Sequence, residues 1–249
     1  MNIMKKKMMG ININYEFSDI GVDTTIVLLH GWGQNIQMMN PIGERYQKYF
    51  NILNIDLPGF GESDEPLESW TVVQYAEYVK KLVDNLKIKK VILIGHSFGG
   101  RVSLVYAAKY KTEKLVCLAA PYCKEIKKLP LKNRIYKRIK TIPGLSWLAR
   151  IMRNKIGSSD YKNASEVMKG VLVKAVNGDL TEYAKKIKCP TLLVWGSCDT
   201  AVPVNRAYEL EKLIGDAGVV VYEGATHYAY LERLNPLTAV LDSFFKVRR

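Results

Sequence analysis

Residues 91–102 read VILIGHSFGGRV, an aliphatic run ending in a serine, Ser97, that is set between Gly95 and Gly99. Glycine and serine are turn formers, so these letters alone are compatible with an ordinary tight turn. The flanks narrow the choice. Residues 99–110 (GGRVSLVYAAKY) carry helical spacing, which places Ser97 where a strand becomes a helix. The glycines let the chain turn there without Cβ clashes, and a hydroxyl at such a corner projects above the sheet edge.

Similar apolar runs recur on both sides. Residues 24–31, 50–59, 114–121, 190–197 and 218–224 are short, β-rich and end in Gly, Pro or Ser. Near-continuous apolar runs suit strands buried on both faces of a parallel sheet, whereas ININYEF (11–17) alternates like a half-exposed strand. Helical patterns separate them at 71–86, 99–110, 204–214 and 236–247. This order predicts an α/β fold: a mostly parallel twisted sheet flanked by helices, with its site at the C-terminal strand ends. From about Tyr122 to Lys186 no buried strand is expected, only helical stretches near 132–140, 143–154 and 164–176. The chain therefore divides into a core, 1–121 and 187–249, and an inserted helical lid, 122–186.

The sequence has 249 residues and a formal charge of +13. Between Pro121 and Asp160 eleven Lys or Arg face only Glu125 and Asp160, so most of that excess lies in the insert. No apolar run reaches the ~18 residues of a membrane span, and MNIMKKKMMG is not followed by the apolar stretch of a signal peptide. Cys117, Cys123, Cys189 and Cys198 form neither a C-x-x-C pair nor a zinc spacing. The simplest reading is a reduced, cytoplasmic protein that needs no metal or cofactor.

A serine hydroxyl needs a base to become a nucleophile. The chain has three histidines. His96 adjoins Ser97 on a strand and should point to the opposite face, in a structural role; His30 should order its own tight turn. That leaves His227, in the loop after the last strand, as base. Asp199, in WGSCDTAVP after the preceding strand, is the orienting acid. Asp56 is the other acid at a strand end but precedes the serine, and Glu223 and Glu232 are read as structural. The order Ser97, Asp199, His227 matches one of the known chain orders of such triads. An oxyanion hole would take the backbone N–H of Phe98 and that of Trp32, in HGWGQN after the first core strand.

LLHGWG, DLPGFGESDEP, IGHSFGGR, PTLLVWGSCD and EGATHYAYLERLNP together resemble the α/β-hydrolase superfamily in its small, lidded bacterial form. The resemblance covers residues 10–121 and 187–249 and implies the fold and triad above. HGWG resembles the oxyanion loop of the pimeloyl-ACP methyl ester carboxylesterases. The superfamily's epoxide hydrolases and haloalkane dehalogenases need an aspartate where Ser97 stands, which excludes their chemistry here.

These readings converge on a serine esterase acting on a small or acyl-chain ester. Leu145, Trp147, Leu148, Ile151 and Met152 recur at helical spacing in the insert. They serve either as the core of the lid or, with Met38 and Met39, as lining of an acyl pocket. The basic stretch is a solvated face, a surface that steers an acidic acyl carrier protein or anionic substrate, or a contact with anionic lipid. No nucleic-acid motif accompanies it. Arg101 either anchors its helix or meets a substrate carboxylate. The second option resembles the menaquinone-pathway lyases, which keeps a lyase as alternative to an esterase. A ligand-sensing hydrolase with slow turnover is another.

Overall fold

The computed structural model of the protein describes residues 2–124 and 164–247. Eight strands form one sheet: β1 (Asn2–Met8), β2 (Ile11–Ser18), β3 (Thr24–Leu29), β4 (Asn51–Ile55), β5 (Lys90–His96), β6 (Lys114–Leu118), β7 (Thr191–Gly196) and β8 (Ala217–Tyr222). Their order is β1-β2-β4-β3-β5-β6-β7-β8. The β1–β2 and β2–β4 pairs are antiparallel, and every pair from β4 through β8 is parallel.

The apolar runs are explained by two cores, one on each face. Val27 and Leu29 of β3 and Leu93 of β5 enter the larger core, whereas Ile26, Leu28, Ile92 and Ile94 enter the smaller. The larger core is closed by α2 (Val72–Asn85), α3 (Phe98–Lys109), α4 (Glu166–Asn177), α5 (Thr181–Ala184) and α6 (Asn205–Leu213). The smaller is closed by α1 (Asn40–Tyr46), α7 (Ala229–Glu232) and α8 (Leu234–Phe245). Helix α2 begins with a reciprocal capping box: Thr71 Oγ1 accepts the Gln74 amide, and Gln74 Oε1 accepts the Thr71 amide.

Register aligns the site. Leu29 sits opposite both Ile55 and Gly95, His96 opposite Leu118, and Leu118 opposite Val194. The residues that follow these positions, including His30, Asp56 and Ser97, therefore emerge at one edge of the sheet.

Three features differ from the sequence reading. The basic N-terminal stretch is itself a strand, β1, joined to β2 through Met9 (φ 52) and Gly10 (φ 84). Two successive left-handed residues make the turn that suits a tight hairpin. The Lys5–Lys7 run that hides β1 from a hydropathy reading suits an edge strand, where charge discourages further pairing. At the other edge, β8 is partly exposed along its whole length. Helix α1 was not expected from periodicity, and Pro41 stands in its first turn, where a missing N–H costs nothing. The expected helix at 164–176 is α4, and no strand is present between β6 and β7 among the described residues. The stretches near 132–140 and 143–154 lie outside the described residues.

Candidate active site

Ser97 occupies a left-handed position, with φ 48 and ψ −107, between the last residue of β5 and the first of α3. A non-glycine residue is held in such a conformation only where its surroundings over-determine it, at a cost of about 1–3 kcal/mol. Three bonds do so here. The Ser97 amide donates to the Leu118 carbonyl at 2.9 Å, the Gly99 amide to the His30 carbonyl at 3.0 Å, and the Arg101 amide to the Ser97 carbonyl at 3.0 Å. The flanking glycines are required by close approach. A Cβ on Gly95 would fall 2.5 Å from the Gly99 carbonyl oxygen, and one on Gly99 would fall 2.3 Å from that of Leu29.

Asp199 and His227 come from the loops after β7 and β8, which lie against each other at Gly196. A Cβ there would stand 2.2 Å from the Ala225 carbonyl oxygen, and the Cys198 amide donates to that same oxygen at 2.9 Å. His227 Nδ1 lies 2.7 Å from Asp199 Oδ2, and the Asp199 side chain is wholly buried. Asp199 Oδ1 accepts the amides of Ala201 and Val202, both at 2.8 Å. The carboxylate is thus fixed by two donors on one oxygen and presents the other to the imidazole. That requires the proton on Nδ1 and leaves Nε2 with a free lone pair, as a general base needs.

The loop after β3 is held from below. Leu57 N–H donates to His30 Nε2 at 3.0 Å, so His30 carries its proton on Nδ1 and donates it to the Gly31 carbonyl at 2.7 Å. Burial pushes the His30 pKa down to about 4, so the ring is neutral. Asp56 is committed to loop structure: Oδ1 accepts the Ile36 amide at 2.7 Å, and Oδ2 accepts Asn14 Nδ2 and the Glu62 amide at 2.8 and 2.9 Å. Asn54 Nδ2 donates to the Ile36 carbonyl at 2.9 Å, so both sides of that peptide residue are clamped by β4 and its end. Trp32 and Phe98 meet edge-to-face at 5.4 Å, and Phe60 touches both rings.

The remaining sequence assignments fall as follows. Met38 is half-buried in a 3-10 turn, Ile36–Met38, whereas Met39 is fully buried in the smaller core. Arg101 is buried; its Nη1 donates to the Pro121 carbonyl at 2.9 Å and its Nη2 to the Gly178 carbonyl at 2.6 Å. It ties Pro121, the last residue before the insert, to Gly178 near the insert's end. Leu145, Trp147, Leu148, Ile151 and Met152 lie outside the described residues. Glu232 accepts the Thr226 amide at 2.9 Å and its hydroxyl, and the Glu223 carbonyl accepts Arg233 Nη2 at 3.3 Å. His96 is the residue whose place the sequence did not convey. Its ring lies on the smaller-core face, as strand alternation implies, yet only 4.9 Å from the His227 ring.

Comparison with known proteins bears on the family and the fold. Residues 24–134 match the family model described as the alpha/beta hydrolase fold, and residues 171–246 match one described as TAP-like protein. An AB hydrolase superfamily protein of Bacillus subtilis, YisY, is 26% identical, covering 91% of this chain and 93% of its own. The pimeloyl-[acyl-carrier protein] methyl ester esterase of Wigglesworthia glossinidia brevipalpis is 29% identical, covering 89% of this chain and 93% of its own. Among solved structures, the enol-lactonase from Burkholderia xenovorans superposes with a TM-score of 0.76 at 23% identity, over 98% of this chain and all of that one.

Proposed function

The chain belongs to the α/β-hydrolase superfamily, and from that premise we propose that it is a serine hydrolase of carboxylic esters. The observation that carries this reading is the Asp199–His227 pair at 2.7 Å, on the same sheet edge as the strained Ser97. His227 Nε2 takes the Ser97 proton as Oγ attacks the ester carbonyl, and Asp199 stabilises the imidazolium that results. The amides of Phe98 and Trp32 bind the developing oxyanion; one such donor is worth about 10²–10³ in rate. His227 then protonates the leaving alcohol, and water, activated by the same base, releases the acyl group from Ser97.

A small or acyl-chain ester is the substrate this reading favours, since the esterase relative acts on a methyl ester of a carrier-bound acyl chain by its name. By the same likeness, the basic insert is proposed to meet an acidic acyl carrier or an anionic substrate. The lyase alternative rested on Arg101 meeting a substrate carboxylate; with two of its nitrogens already given to main-chain carbonyls, hydrolysis is preferred. Steady-state hydrolysis of p-nitrophenyl esters from two to twelve acyl carbons tests the proposal. Multiple turnovers with a chain-length optimum, lost by about 10³-fold or more in Ser97→Ala, are expected. Turnover unchanged by Ser97→Ala would overturn it.

A further inference from the structure

His96 immediately precedes the nucleophile, and its ring is wedged between two loops of the site. Nε2 lies 3.1 Å from the main-chain carbonyl oxygen of His227, and Nδ1 lies 3.1 Å from Gln34 Oε1 in the loop after β3. The fit is tight on that second side: a Cβ on Gly31 would stand 2.7 Å from His96 Nδ1. The ring face packs on His227 and Tyr230, with centroids 4.9 and 4.8 Å away, and Tyr228 lies at 5.5 Å.

Both ring nitrogens thus face oxygens, while a neutral imidazole has one N–H. Burial keeps the ring neutral, pushing its pKa down to about 3. Gln34 Oε1 already accepts the Gly31 amide at 2.9 Å. The His227 carbonyl accepts no other hydrogen bond among the described residues, so the single ring proton serves it, and Nε2–H donates there.

We infer that His96 is a positioning residue for the reaction proposed above: its Nε2–H holds the backbone of the general base, His227, at a fixed distance from the nucleophile's own neighbour. Asp199 orients the imidazole of the base, and His96 locates the peptide that carries it. The inference rests on the serine-hydrolase reading of Ser97 and His227.

The test is a pair of substitutions that differ in reach. In His96→Gln the amide nitrogen extends about as far as Nε2 and preserves the donor; in His96→Asn it stops near the position of Nδ1. With p-nitrophenyl butyrate, His96→Asn is expected to lower kcat by about 10- to 100-fold, the scale set by small misplacements of reacting groups, with KM within about twofold. His96→Gln is expected to recover most of that loss. The downfield proton-NMR signal of the His227 Nδ1–H should persist in His96→Gln and broaden in His96→Asn, which a loss of folded protein alone would not produce. Equal kcat in the two variants, or a His96→Asn enzyme as fast as the parent, overturns the inference. Failure of the parent itself to turn over the ester, or to react at Ser97 with a fluorophosphonate, overturns instead the reading on which it rests.

Discussion

At Ser97 the backbone carries a conformational cost that its surroundings hold in place. A φ of 48 at a non-glycine residue is maintained by bonds to Leu118, His30 and Arg101, while Gly95 and Gly99 admit the neighbouring chain at distances no side chain tolerates. Gly99→Ala should therefore lower the urea midpoint sharply, by the equivalent of at least about 2 kcal/mol, because its Cβ meets the backbone of β3 rather than a movable side chain. A midpoint within error of the parent would show that the turn at Ser97 relaxes freely. Asp199→Asn should fold normally yet lose about 10⁴ in kcat, since the amide no longer selects the Nδ1–H tautomer of His227. A loss below tenfold would remove Asp199 from the catalytic machinery. The position of Ser97, Asp199 and His227 at strand ends was legible in the sequence because each follows a recognisable strand. His96 was not legible in the same way. Strand alternation gives the face on which a ring lies, but the approach of the His227 loop to that face depends on β5, β7 and β8 lying in one sheet.

At the scale of elements, the interior strands were readable because burial on both faces makes them continuous apolar runs. Strand β1 was not, because its lysines answer the demands of an edge rather than of a core. The short helix α1 was obscured for a related reason: beside the apolar contacts of Ile42 and Tyr46, its hold on the fold is polar. Tyr46 Oη donates to Asp242 Oδ1 at 2.9 Å, and Arg45 Nη2 pairs with Asp242 Oδ2 at 2.7 Å, joining α1 to α8 across the smaller core. The Asp242 side chain is only 7% exposed, so removing it deprives Arg45 of this carboxylate and leaves the Tyr46 hydroxyl to the Thr238 carbonyl, at 3.1 Å. Asp242→Ala should cost about 2–4 kcal/mol in denaturant unfolding. Tyr46→Phe should cost less, since it removes one donor and leaves the ion pair. An Asp242→Ala protein as stable as the parent would mean that α1 is held by its apolar contacts alone.

For the whole molecule, two buried neutral histidines make stability depend on pH. His30 and His96 are pushed down from 6.5 to about 4 and about 3 by burial, whereas the unfolded chain protonates both near their ordinary value. Their contribution is fully present above about pH 6.5 and is lost as pH falls toward the folded values, because the unfolded state then binds more protons. The loss approaches about 1.4 kcal/mol per pH unit for each histidine. Urea midpoints should fall progressively between pH 7 and pH 5; a flat series would contradict the neutral, buried assignment. The same sheet edge that buries these rings collects the turn at Ser97, the Asp199–His227 pair and the loop bearing Trp32.

The central claim is that Ser97 is a nucleophile activated by His227. Its most direct test is mass-spectrometric mapping of a fluorophosphonate adduct, with its rate of formation followed in the parent and in His227→Ala. One adduct per chain, on Ser97, forming about 10²–10⁴ times more slowly without the imidazole, is the predicted result. An adduct on another residue, or equal rates in the two proteins, would contradict the assignment of nucleophile and base.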